Sequence, residues 1–86
     1  MSDYQKNASA VLDYNINWAS WLGTDIIESA QWHYPAGITA TQHSATTAVA
    51  TVWLSGGTPG AVYRVTNQIW TSAGRCELRS FDIGIS

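Results

Sequence analysis

Two reversals inside one short stretch constrain this chain more than any other feature. The residues Leu54-Ser55-Gly56-Gly57-Thr58-Pro59-Gly60 and Ser72-Ala73-Gly74 bracket an alternating run that begins Tyr63-Arg64-Val65-Thr66-Asn67. Glycine, proline and serine supply the dihedral angles that reversals need, so the stretch reads as two consecutive tight β-hairpins. Apolar runs bounded by such clusters at short spacing predict a small antiparallel all-β sandwich, an architecture that presents surfaces.

Side-chain parity gives the reading detail. A first strand over Ser9 to Trp18 alternates Leu12, Tyr14, Ile16 and Trp18 with polar Asp13, Asn15 and Asn17. Trp21 and Leu22 then cap one end of the core. Strands over about 26–34 and 38–44 flank Pro35-Ala36-Gly37, a reversal whose two arms pair with each other or lie in different sheets. If the reversal between Leu54 and Ala61 is a hairpin, Val52 faces Tyr63 and Ala50 faces Val65. The Ser72-Ala73-Gly74 hairpin sets Tyr63 against Ile83, Val65 against Phe81, Ala61 against Ile85 and Arg64 against Asp82. Both registers bury one apolar face and leave Val49, Trp53, Val62, Trp70, Cys76 and Leu78 on one outer face. Glu77 and Arg79 break the inward phase, which calls for a bulge near Arg79 or a position beyond the end of the sandwich.

The chain has 86 residues, one domain's worth, and buries roughly two thirds of its unfolded surface. Residues 1–8 lack a packed apolar pattern and read as a flexible arm, with a single domain over 9–86. Cys76 is the single cysteine, which excludes an internal disulfide and points to a reducing compartment. No leader-like segment and no run of roughly 20 apolar residues occurs, so a soluble, non-exported protein without membrane contact is expected. The net charge is −2 with no basic cluster, which argues against nucleic acid. Charged residues make up 12% of the chain and aromatics another 12%, including 5 Trp, so the surface is built of uncharged groups suited to protein contact.

Catalysis would need convergent titratable groups. His33 and His43 are ten residues apart. If they flank a hairpin they stand roughly 13 Å apart along the strand, too far to share a metal. Cys76 has Arg75 as its sole cationic neighbour and reads as a small hydrophobe beside Trp70. The Gly56-Gly57 turn has no lysine and no following helix to cradle a phosphate. Asn67, on a buried phase, is expected to hydrogen-bond neighbouring backbone. No enzyme, cofactor, metal or small-molecule substrate is expected. Trp18, Trp21 and Trp32 read as core or end-cap residues, which leaves Trp53 and Trp70 for a partner: a protein surface, or the sugar rings of a glycan-binding module.

An ordered set of residues resembles the phage fibre-tail adaptor proteins. It runs through Asp13-Tyr14-Asn15-Ile16-Asn17-Trp18, Trp21-Leu22-Gly23, Asp25, Trp32, Pro35, Gly37, Val52-Trp53-Leu54-Ser55-Gly56-Gly57-Thr58, Tyr63-Arg64-Val65-Thr66-Asn67, Gly74-Arg75 and Arg79-Ser80-Phe81. The likeness covers about Val11 to Ile83. Ile26 and Cys76 depart from the pattern and make their surroundings more apolar. The resemblance implies an immunoglobulin-like β-sandwich of about 6–7 strands in the virion tail of a bacteriophage, made and assembled in the host cytoplasm. It also implies several copies that join a tail fibre protein to the tail tube or hub. A head-decoration or neck connector protein would share this composition. The candidate contact residues are Val49, Trp53, Val62, Trp70, Leu78 and, in the arm, Tyr4.

Overall fold

Thr71 to Cys76 make the tight reversal that the sequence predicts, with Gly74 at φ 87° and its N–H bonded to the Thr71 carbonyl at 3.0 Å. A computed structural model describes residues 3–86. Its strands are β1 (Tyr4–Lys6), β2 (Leu12–Asn17), β3 (Ile27–His33), β4 (Ile38–Ala45), β5 (Val49–Gly56), β6 (Val62–Thr71) and β7 (Cys76–Ile85), with one short helix, α1 (Ala19–Leu22). They form two sheets, ordered β1-β7-β6-β3 and β2-β5-β4. With β2, β5 and β4 facing β3, β6 and β7, the connectivity is that of an immunoglobulin-like sandwich. Two further marks of that fold are present. Trp32 on β3 is buried, and the Tyr63 hydroxyl at the start of β6 accepts the Thr58 N–H at 3.0 Å, holding the corner between β5 and β6.

The β6/β7 ladder has the expected register: Tyr63 opposes Ile83, Arg64 opposes Asp82 and Val65 opposes Phe81. Ile85 N–H extends it to the Ala61 carbonyl at 3.0 Å. The ladder runs to Trp70 and Cys76 without a shift, so no bulge accommodates Arg79. Its guanidinium instead lies 4.3 Å from the Trp18 ring centroid, roofing the end of the core.

The segment between Leu54 and Ala61 is not a hairpin. β5 belongs to one sheet and β6 to the other, so the chain crosses the sandwich there. Glycine at 57 is required twice over, because φ is 104° and a Cβ would stand 2.7 Å from the Ile85 side chain. Ala50, Val52, Tyr63 and Val65 still share one core, since inward residues of opposed sheets meet just as ladder partners do. β3 and β4 likewise lie in different sheets. The first strand is shorter than the sequence reading, Leu12–Asn17 rather than Ser9 to Trp18.

The arm reading is also corrected. Tyr4–Lys6 pairs in parallel with β7, in the register Tyr4 to Ile83 and Lys6 to Ile85. Met1 and Ser2, the rest of that segment's start, lie outside the described residues. Lys6 points inward and is 1% exposed, its Nζ donating to the carbonyls of Gly56 at 2.8 Å and Asn7 at 2.9 Å. A buried amine must be satisfied in this way, and burial holds it below the ordinary lysine value. Three residues with a lysine in the inward phase give no alternation for a sequence to show.

Trp18 ties β2 to the other sheet. Its Nε1–H donates to Asn67 Oδ1 at 2.9 Å, and Asn67 Nδ2 donates to the Gln31 carbonyl at 3.1 Å. Leu22, Ile27 and Ile69 complete this end of the core. Outside it, Asp25 accepts the N–H groups of Ile26 at 2.9 Å and Ala73 at 3.2 Å, and Arg75 Nε at 3.1 Å. The Thr71 hydroxyl foremost, then the Ile26 amide, Arg75 and the Ala73 amide, hold the Asp25 carboxyl below its ordinary value. A carboxyl lowered in the fold stabilises it above the unfolded value and ceases to do so as pH falls through the folded value. Melting temperature is therefore expected to drop between about pH 5 and pH 2. Asp25→Asn should flatten that drop, leaving the share of Asp82, which its hydrogen bond with Arg64 holds low in the same direction. Melting curves of both chains across that range check it.

Candidate interaction surfaces

The crossing between β5 and β6 rearranges the expected outer face. Val62, Trp70, Cys76 and Leu78 point outward from β6 and β7, but Val49 and Trp53 point outward from β5, in the opposite sheet. The single apolar face read from parity is therefore two faces on opposite sides of the sandwich. The outward phase is right for each residue, and the shared sheet is wrong. Tyr4 is in a third place. It lies on the β1 edge with its ring 5.1 Å from Tyr14 and 5.2 Å from Phe81, edge to face, and is 42% exposed. With Asn15, Asn17, Arg79 and Ser80 it lines a shallow groove between β2 and β7.

A hydrogen-bonded lattice covers the middle of the β1-β7-β6-β3 face. Arg64 Nε meets Asp82 Oδ1 at 3.0 Å, and the Thr66 and Ser80 hydroxyls are 2.8 Å apart. His33 Nε2 is 3.1 Å from Gln68 Oε1, and Gln68 Nε2 donates to Cys76 Sγ at 3.3 Å. This lattice separates Val62, 59% exposed at one end, from Leu78, 50% exposed, and half-buried Trp70 at the other. Cys76 sits opposite Trp70 on the outer face, as expected, and is exposed. Ile26 lies at the same end, its carbonyl accepting Ser72 N–H at 3.1 Å.

The β2-β5-β4 face is plainer. Trp53, half-buried on the central strand, has Asp13 opposite it on β2 and Gln42 on β4. Asn15, Thr51 and Ser44 continue the outward set. His43 belongs to this sheet and His33 to the other, so the histidines are not paired across a hairpin.

Sequence reasoning anticipates Arg64 opposite Asp82 but misses how the other basic side chains are committed. Arg75 lies 4.2 Å from the Trp21 centroid while bonding Asp25 and, at 2.9 Å, the Leu22 carbonyl. Arg79 covers Trp18, Arg64 pairs with Asp82, and Lys6 is buried on carbonyls. All four basic side chains are thus engaged within the chain. The Asp25–Arg75 and Trp21–Arg75 pairings span some fifty residues of sequence and leave no local signal.

These features define a class: a charge-poor immunoglobulin-like sandwich whose distinctive residues stand on sheet faces and a strand edge. The chain belongs to the podophage fibre-tail adaptor family, since the family model described as Gp77, podophage GP4 fiber-tail adaptor protein gp77, matches residues 6–84. It is thereby a structural protein of the phage tail. No curated protein matches the chain. The family assignment agrees with the likeness read from the sequence and extends it from Val11 back to Lys6, the last residue of β1.

Proposed function

We propose that the protein bridges a tail fibre protein and the tail tube or hub, one partner on each face of the sandwich. The observation that carries this reading is the division of the outward aromatic residues between opposite sheets, Trp53 on one and Trp70 on the other. Two faces on opposite sides give a rigid spacer two partner sites, and charge-poor surfaces with tryptophan are suited to protein interfaces. The adaptor acts by contact alone, without catalysis or cofactor, in several copies arranged by the symmetry of the tail. It is assembled in the host cytoplasm without nucleic acid or membrane.

Photo-crosslinking tests the two-sided arrangement. A benzophenone amino acid is placed at Asn15, exposed on the β2-β5-β4 face, or at Leu78, exposed on the other. Infected cells are irradiated and the adducts identified by mass spectrometry. The expected result is a fibre protein on one position and a tube or hub protein on the other. Adducts to the same protein at both positions, or to capsid or portal proteins alone, overturn the bridge and move the protein to the head or neck.

A further inference from the structure

Resting on the bridging reading, the β2-β5-β4 face carries a more specific feature. Among the described residues the carboxylates of Asp25 and Asp82 are ion-paired, Asp3 accepts the Asp82 N–H at 2.9 Å, and Glu77 accepts the Leu78 N–H at 3.0 Å. Asp13 and Glu28 have no hydrogen bond or ion pair with any described residue, and of these two Asp13 is the one with a tryptophan as its ladder partner. Its charge is nevertheless felt inside the sandwich, where it adds to burial and to Tyr4 in raising the Tyr14 phenol.

Asp13 is the cross-strand partner of Trp53. Side chains directly opposed in an antiparallel ladder have β-carbons about 5 Å apart, so Asp13 and Trp53 are immediate neighbours on the outer surface of this sheet. The remaining outward residues of this face, among them Asn15, Thr51, Gln42 and Ser44, carry no charge. Elsewhere in the fold an aspartate and a tryptophan hold a guanidinium between them: Arg75 is 3.1 Å from the Asp25 carboxylate and 4.2 Å from the Trp21 ring centroid.

We infer that Asp13 and Trp53 form a seat for an arginine side chain presented by the protein partner that docks on the β2-β5-β4 face. The carboxylate takes the guanidinium N–H groups and the indole supports its flat surface. Arginine suits the seat better than lysine because its charge is planar, weakly hydrated and able to stack. Within this chain Arg75 and Arg79 lie on the rings of Trp21 and Trp18, so a second copy would have to give up its exposed Arg64–Asp82 pair to supply the guanidinium. The occupant is an arginine of another protein, from fibre or tail.

The test uses the full-length protein labelled with nitrogen-15 and the blocked amino acid N-acetyl-arginine methylamide. The Trp53 indole signal is identified by its loss in Trp53→Phe. It should shift saturably with the arginine probe at millimolar concentration, and less with the lysine analogue. The neutral citrulline analogue should leave it unmoved. Asp13→Asn and Asp13→Ser should each weaken the response about tenfold, the scale of a charge-assisted hydrogen bond. Glu28→Gln, an exposed carboxylate on the other sheet, should not change it. Absence of a saturable shift, an equal shift with citrulline, or an undiminished shift in both Asp13 variants overturns the proposal. A shift on raising protein concentration without probe makes the face a self-contact instead, and a shift with a neutral oligosaccharide alone makes it a sugar platform. Because no phage protein enters this titration, its failure leaves the crosslinking result standing, and the converse holds.

Discussion

Trp18→Ala is expected to cost about 4 kcal/mol and to lower the melting temperature by more than about 15 °C. Trp18 is fully buried, so truncation opens a cavity of indole size that neighbours fixed in two sheets cannot fill. The same change strips the aromatic surface from beneath Arg79 and leaves the Asn67 oxygen without its donor. Small domains have stabilities of about 5–15 kcal/mol, so this loss takes a large share of the total. Trp18→Phe separates the parts. It retains most of the apolar volume and removes the Nε1–H, at about 1–3 kcal/mol for the unsatisfied amide oxygen. Urea denaturation of both variants measures the two costs. A Trp18→Phe chain within about 0.5 kcal/mol of the parent would contradict the role given to the Trp18–Asn67 bond.

Removal of residues 1–6 should destabilise the fold by about 3 kcal/mol and promote self-association. β1 is short, yet it supplies the Lys6 bonds to Gly56 and Asn7 and the Tyr4 ring over Tyr14 and Phe81. It also covers the β7 edge from Ile83 to Ile85, and Asp3 bonds Asp82 through both backbone and side chain. Without it, an apolar strand edge faces solvent, which invites pairing with another chain. Urea midpoints and size-exclusion elution of the shortened chain, compared with the full chain, test this. An unchanged midpoint would return residues 4–6 to the role of a detachable arm.

Both expectations rest on contacts that the sequence reveals unequally. The β6/β7 register is legible because its turn is short, its glycine is local and its facing residues alternate in phase. The β5/β6 connection is not legible in the same way. Glycine and proline mark a reversal there, but the same residues serve a hairpin and a crossing between sheets. Only the long-range pairing of β5 with β2 and β4 separates the two. Burial survives that ambiguity, which is why Ala50, Val52, Tyr63 and Val65 read correctly as core. The outer face does not survive it, because one side of a hairpin becomes two sides of a sandwich and Val49 and Trp53 part from Val62, Trp70 and Leu78. Asn67 was half legible: its bond to the Gln31 carbonyl follows from a buried amide needing backbone, whereas its bond to the Trp18 indole joins residues 49 positions apart. The seat at Asp13 and Trp53 is visible only once their register is known.

The most direct measurement of the central claim is the composition of phage particles made without this protein. A nonsense mutation in its gene is grown in a non-suppressing host, and the particles are purified, imaged and analysed by mass spectrometry. The bridging account expects filled heads with tails but without fibres, and fibres restored by the protein supplied in trans. Particles that keep a full complement of fibres, or heads that fail to fill or to join a tail, would contradict it.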